Sequence, residues 1–260
     1  MAYLSSSWIL SSLLVMIPSV VICILVLWFI RRVVSTEALK KNHDVAGFTF
    51  SIIGVLYSVI LGFTVINVQN HYTNAEENVQ TEALILADLY RTAAYLPASS
   101  KGEIRAVLRE YVDYISEEEW ENSKNRNAHL RAQKVMDQIW NSYYEVEPEN
   151  QKMWVWYEES ISKLDDLMNA RISRQFASWE HLSTMMWTLL ILGAVITICF
   201  MFFFGLDNLR NQMLMTALLA GYLSFMLYLV FSLDHAFKGP EAIQPFAFQE
   251  VLTLFDRWDE

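Results

Sequence analysis

Four long stretches of this 260-residue chain contain no Asp, Glu, Lys, Arg or His: Trp8 to Ile30, Ala46 to Gln69, Met185 to Gly205 and Met213 to Leu233. A hydrocarbon core is crossed by roughly 20 apolar residues in a helix, and each stretch is that long. Cysteine is also scarce. The only two, Cys23 and Cys199, lie inside apolar stretches, which excludes a secreted disulfide framework and offers no metal-ligand spacing. There is no P-loop, dinucleotide glycine fingerprint, HExxH pair or nucleophile elbow. No enzyme activity, cofactor or nucleic-acid partner is therefore expected. The lack of a charge within any span also argues against a proton-driven pump, which ordinarily needs one.

What remains is a chain 54% hydrophobic, with its apolar residues bunched rather than spread. The first stretch does not read as a removed export signal. Met1 to Ser7 carries no basic residue, and Arg31-Arg32 stands where a small-residue cleavage site would be. Orientation follows from Lys and Arg in short loops. The loop between spans one and two has Arg31, Arg32, Lys40 and Lys41, and that between spans three and four has Arg210. The opposite side has only Lys238 and Arg257 outside the long central segment. Five against two puts the short loops in the cytoplasm, and the termini and central domain outside.

Helical periodicity then organises the chain. Pro18 is expected to bend the first span. Beyond the second, Ala75, Val79, Ala83, Leu86, Tyr90 and Ala93 continue at spacings of three and four, the pattern of one uninterrupted helix. The third span mirrors it, with Met153, Tyr157, Ile161, Leu164, Met168, Ile172, Phe176 and Trp179 leading into the membrane. Between them, Ser100-Lys-Gly-Glu103 fits a capping box before an apolar face of Ile104, Val107, Leu108, Tyr111 and Ile115. A polar turn over Asn122 to Asn127 precedes a second amphipathic helix through Ala128, Ala132, Val135, Ile139 and Tyr143. The expected fold is an all-α membrane protein: four transmembrane helices, with an extramembrane helical bundle continuous with helices two and three. Residues 1–71 hold the first membrane pair, 72–184 the bundle, 185–233 the second pair and 234–260 an amphipathic tail. That tail is expected on the outer membrane surface or against the bundle.

Two groups of residues could carry function. In span two, Gly47, Ser51, Gly54, Ser58 and Gly62 form a stripe of small residues, with Thr64, Asn67 and Asn70 beyond. Such a stripe either lets helices pack closely or lines a polar pathway. At the outer helix ends stand Asn70-His71, Glu180-His181 and Asp234-His235. Imidazoles near carboxylates could sense protons or hold a metal ion weakly, or simply be polar residues at a membrane interface. The central segment has 20 acidic against 12 basic residues, suited to an acidic vestibule that concentrates cations. The basic inner loop would instead attract anions, so charge does not choose the ion.

Several patches carry a resemblance. They are Asp44-Val45-Ala46-Gly47-Phe48 with Gly54-Val55-Leu56-Tyr57 and Leu61-Gly62-Phe63; Ala87-Asp88-Leu89-Tyr90-Arg91 with Leu96-Pro97; and Leu108-Arg109-Glu110-Tyr111-Val112 with Glu119-Trp120. Arg171 and Arg174 follow, then Leu233-Asp234-His235-Ala236-Phe237-Lys238-Gly239. Together they resemble a bacterial and plant membrane family labelled bestrophin-like, although Ala236 stands where that family's closing motif usually has Pro. The resemblance implies an oligomeric ion channel like the bestrophins, which are four-helix, pentameric anion channels. It would be a multi-pass protein of the bacterial inner membrane, in contact with lipid, with further copies of itself and with a permeant ion. The rival expectation is a non-conducting scaffold or sensor whose external helices bind a partner.

Overall fold

The structure, a computed structural model, describes residues 6–40, 43–120, 126–239 and 241–260. Lys41 of the basic loop, most of the polar turn over 122–127, and the first five residues lie outside it. The helices are α1 (Ser6–Val33), α2 (Thr36–Lys40), α3 (His43–Thr92), α4 (Ala98–Tyr114), α5 (Arg126–Tyr144), α6 (Gln151–Trp179), α7 (Thr184–Phe202), α8 (Leu209–Asp234) and α9 (Phe246–Asp259). A 3₁₀ turn over Ala93–Tyr95 closes α3, and a π turn over Ile115–Glu119 extends α4. There is no strand among the described residues. Four helices are long and apolar enough to cross a membrane.

The chain divides into two compact units. The first comprises residues up to Tyr72 together with Glu180–Ala242. In it α1 lies along α8, where Ser19 and Ser224 hydroxyls meet at 2.6 Å. A side chain at Gly221 would come within 3.5 Å of Val20, so a small residue suits this contact. The core joins Tyr57, Leu61 and Val68 of α3 to Leu190 and Ala194 of α7 and to Leu223 and Val230 of α8. Hydrocarbon offers a hydroxyl no partner, and two buried hydroxyls here bond to backbone. Tyr57 donates to the Leu190 carbonyl at 3.0 Å and Thr197 to that of Gly193 at 2.7 Å. The ends of these helices are capped as well. Ser183 accepts from the Met186 N–H, Asn208 from the Arg210 N–H, and Gln212 donates to the Phe204 carbonyl at the end of α7.

The second unit comprises Thr73–Trp179 and Ile243–Glu260. Ala75, Val79, Ala83, Leu86, Tyr90 and Ala93 are all buried there, as their spacing predicts. So are Ile104, Leu108, Tyr111 and Ile115 of the α4 segment, and Ala132, Val135, Ile139 and Tyr143 of α5. The C-terminal helix α9 resolves the choice left open for the tail. It packs on α4 in this unit, burying Phe248, Val251 and Phe255. Phe255 stacks on Tyr90 at 3.7 Å between ring centroids.

Three expectations need correction in detail. The helix of α3 is unbroken over 50 residues, about 75 Å, but its counterpart is not. Residues 180–183 interrupt α6 and α7, and the Asp234 carboxylate takes up the Leu182 N–H released by the break, at 2.6 Å. The capping box is not used. Pro97 stands at the N-cap and its carbonyl accepts from Ser100 and Lys101, so α4 starts before the box. Proline is well suited to opening a helix, having no N–H to leave unsatisfied. Pro18 sits inside α1 without ending it. On α6 the expected apolar stripe turns outward at its end: Ile172, Phe176 and Trp179 are exposed, whereas Arg171 and Arg174 are buried.

Among the described glycines of the first unit Gly193 is the most tightly packed, since an added Cβ would lie 2.3 Å from the Tyr57 ring. Gly193→Ala is expected to cost about 1–3 kcal/mol by overpacking, seen as a lower unfolding temperature in detergent. Combined with Tyr57→Ala, the cost should be less than the sum of the two single changes. Strict additivity would show that the ring is not the obstacle.

Candidate functional site

Three arrangements of polar side chains stand out, each within one unit. The first is the stripe on α3. Ser51 and Ser58 are exposed, and their hydroxyls donate back to the carbonyls of Gly47 and Val55 at 2.9 and 2.8 Å. This satisfies each donor without another helix. Nothing lies within 4 Å of a Cβ built at Gly54 or Gly62, and Gly47 meets only the Phe204 ring at 3.7 Å. Asn67 and Asn70 are exposed too. The stripe thus faces away from the helices of its own protomer. Thr64 does not share that face: it is buried, bonded to the Ile60 carbonyl and 3.9 Å from the Met186 sulfur. On one side of the stripe, Phe48, Val55, Val59, Phe63 and Ile66 are exposed apolar residues.

The second arrangement gathers the helix-end residues, but not as three like pairs. His71 of α3 reaches Glu180 at 3.4 Å. His181 instead joins Asp234 and His235 at the end of α8. The two imidazoles stack with centroids 4.7 Å apart. Nδ1 of His181 bonds the Asp234 main-chain carbonyl at 2.8 Å, and Nδ1 of His235 bonds that of Phe231 at 3.0 Å. The Asp234 carboxylate is buried and also accepts from the Trp187 indole at 3.2 Å. Local sequence dictates this placement: α8 ends at Asp234, and Gly239 takes the left-handed φ of 95° in the turn that follows.

A family model, the Bestrophin-like domain, matches residues 17–248. The chain belongs to that family. Among solved structures it is similar to a variant of a bacterial bestrophin homologue from Klebsiella pneumoniae, with a TM-score of 0.71 at 13% identity. That match covers 94% of this chain and 99% of the other. It is also similar to the crystal structure of a membrane protein, with a TM-score of 0.68 at 14% identity, covering 91% and 98% of the two chains. No curated protein sequence matches. At such identities the likeness is one of fold, and this bestrophin-like chain is accordingly an all-α membrane protein.

The third arrangement was missed in the sequence. Inside the second unit, Arg174 grips Glu82 through Nε at 2.5 Å and Nη2 at 3.3 Å. Tyr111 donates to Glu82 at 2.8 Å and accepts from Arg171 at 2.9 Å. Glu119 lies 3.7 Å from Arg171 and 3.6 Å from Arg174. Two carboxylates and two guanidiniums sum to zero, which lets the cluster survive burial. Burial pulls the Arg174 charge down, but Glu82 and Glu119 outweigh it and hold the guanidinium above its ordinary range. Burial, then the Glu82 charge, pushes the Tyr111 phenol well up, so it stays a donor. The family patches named Arg171, Arg174 and Glu119 without their partner. The available signal was Glu82 itself, a carboxylate one position from Ala83 on an otherwise apolar face.

A second ionic contact anchors α9. Arg105 bonds Asp259 at 2.7 Å, while Arg109 reaches Asp256 at 2.7 Å and Asp259 at 3.2 Å. Tyr90 also donates to Asp259. Although partial burial works the other way, the Tyr90 and Arg109 hydrogen bonds hold the Asp259 carboxyl below its ordinary value. The contact therefore persists at neutral pH and is lost only as pH falls through that lowered value.

Breaking the buried cluster on one side should be costly, because a lone charge remains in the interior. Glu82→Leu is expected to lose about 3–5 kcal/mol of stability. Glu82→Leu with Arg174→Met should recover much of that loss, read by thermal or denaturant unfolding. A double variant as unstable as the sum of the singles would mean that the residues act separately.

Proposed function

We propose that the chain is one subunit of a homo-oligomeric ion channel whose α3 stripe lines the pore. The observation that carries this reading is the open face at Gly54 and Gly62, with Ser51 and Ser58 exposed along it and Asn67 and Asn70 exposed further along the helix. Small residues that pack helices within a protomer would be covered, as Gly193 is by Tyr57. These are not. Their hydroxyl oxygens and amides suit a water-filled path better than lipid tails, which cannot hydrogen-bond. The exposed apolar residues flanking the stripe would then meet neighbouring copies around the pore.

Family membership supports the class, and the fold shared with a bacterial bestrophin homologue supports the four-helix plan. Self-association has a further argument in the second unit. Trp154, Val155, Ile172, Phe176 and Trp179 are exposed on α6, outside the ion-free spans. Apolar surface of this kind outside the bilayer marks an interaction face, and a second copy of α6 is the partner this proposal assigns. Within such an oligomer the acidic second unit forms an outer vestibule.

Purified protein in planar bilayers is expected to give unitary currents. Cysteine at Ser51 or Ser58 should make them sensitive to a charged thiol reagent, while cysteine at buried Thr64 should not. Silent bilayers across pH and ion type would overturn the channel reading in favour of a scaffold or sensor. The charge count places the second unit outside the cytosol, and that has its own test. Alkaline phosphatase fused after Glu260 should be active in intact cells, whereas activity of a cytosol-only reporter at the same place would reverse the orientation.

A further inference from the structure

We propose that His181, Asp234 and His235 bind a divalent transition metal ion of the Zn²⁺ class through both Nε2 atoms and the Asp234 carboxylate. One possible ligand atom from each of the three lies within 4.8 Å of the others. The hydrogen bonds decide which imidazole nitrogens are available. A main-chain carbonyl only accepts, so the Nδ1 of His181 against Asp234 O and that of His235 against Phe231 O both carry the proton. Both lone pairs are thereby left on Nε2. Metal-ligating histidines are ordinarily fixed in this way, with the other ring N–H donated to a carbonyl or carboxylate.

Asp234 completes the donor set. Its oxygens accept from the Leu182 N–H at 2.6 Å and the Trp187 indole at 3.2 Å. Each carboxylate oxygen has a second lone pair to offer, and those two bonds already orient the group. Two imidazoles and one carboxylate favour Zn²⁺, Co²⁺ or Ni²⁺ over Mg²⁺ or Ca²⁺, which prefer oxygen alone. Three protein ligands leave one tetrahedral position open to water. Bonds of about 2.0–2.1 Å place tetrahedral ligands roughly 3.4 Å apart, so the groups must close by about an ångström. His181 is exposed, in the four-residue break between α6 and α7, where its side chain has room to move.

The ion would tie that break to the end of α8, adding coordinate bonds to the hydrogen bonds and the imidazole stacking that already join these two ends. His71 and Glu180 form a separate pair and are not ligands here. The site does not depend on the channel reading, since binding is measured without current.

The test is calorimetric titration of the full chain in detergent, freed of any affinity tag, with ZnCl₂, and with Co²⁺ to follow its ligand-field absorption. Saturable binding of one ion per chain is expected. It should be weakened at least about tenfold by His181→Ala and by His235→Ala and unchanged by His71→Ala. Zn²⁺ should raise the unfolding temperature of the parent chain but not of His181→Ala, whose exposed position leaves the fold intact. Absence of saturable binding below about 0.1 mM, or equal affinity in His181→Ala, would overturn the site.

Discussion

Lipid hydrocarbon cannot donate or accept a hydrogen bond, and most of this chain follows from that fact. It forces the spans to be helices and keeps Asp, Glu, Lys, Arg and His out of them. It also explains what polar residues inside the spans do. Ser12, Ser19, Ser51, Ser58, Thr64, Thr188 and Thr197 all donate to a carbonyl three or four residues earlier in their own helix. A hydroxyl spent in this way asks for no partner, so its helix may present it either to a neighbour or to water. The same constraint displaces charged chemistry to the ends. Arg31 donates to the Leu206 carbonyl at 2.8 Å, and Asp234 receives the Leu182 N–H freed by a break in the helix together with the Trp187 indole N–H.

The second unit has the opposite freedom, because water can solvate its surface, and it uses charge internally. Glu82, Tyr111, Glu119, Arg171 and Arg174 occupy positions that leucines could fill. Such a cluster adds little net stability over apolar packing, but it restricts geometry. A bidentate guanidinium accepts only a narrow range of carboxylate orientations, so the pair fixes the rotation of α6 about its axis against α3. That rotation turns Arg171 and Arg174 inward and Ile172, Phe176 and Trp179 outward. The exposed apolar face of α6 is thus a consequence of the buried ions.

This is also where the sequence was least legible. Periodicity found the spans, the face of α3 and the faces of α4 and α5, because in each most of the buried residues are apolar, Glu82 on α3 being an exception. It failed at the end of α6, where the rule inverts and arginines are buried. No local pattern announces that inversion, since the partners Glu82 and Arg174 are 92 residues apart. The helix-end histidines were legible as residues but not as a group. The sequence placed them as adjacent pairs at the helix ends, whereas the break after α6 sends His181 to Asp234 and His235 and leaves His71 with Glu180. The tail was half legible: its amphipathic face was clear, but an apolar face looks the same whether lipid or protein covers it. Arg105 and Arg109 on α4 supply the difference, pairing with acidic residues that would be poorly placed against an anionic membrane.

The stripe on α3 can now be weighed against its bland alternative on physical grounds. Close packing needs a small residue only where another atom occupies the space a side chain would fill. Gly193 and Gly221 meet that condition, with Tyr57 at 2.3 Å and Val20 at 3.5 Å. Gly54 and Gly62 do not, for among the described residues nothing beyond their own helix backbone and chain neighbours lies within 4 Å of a Cβ built there. Glycine in a helix interior costs about 1 kcal/mol relative to alanine, so two at one open face are unfavourable for an isolated protomer. Lipid, another copy or solvent could meet that face, and the proposed channel assembled around α3 would supply the last two at once. The helix that holds the membrane unit together through Tyr57 is then the one whose other side meets the pore.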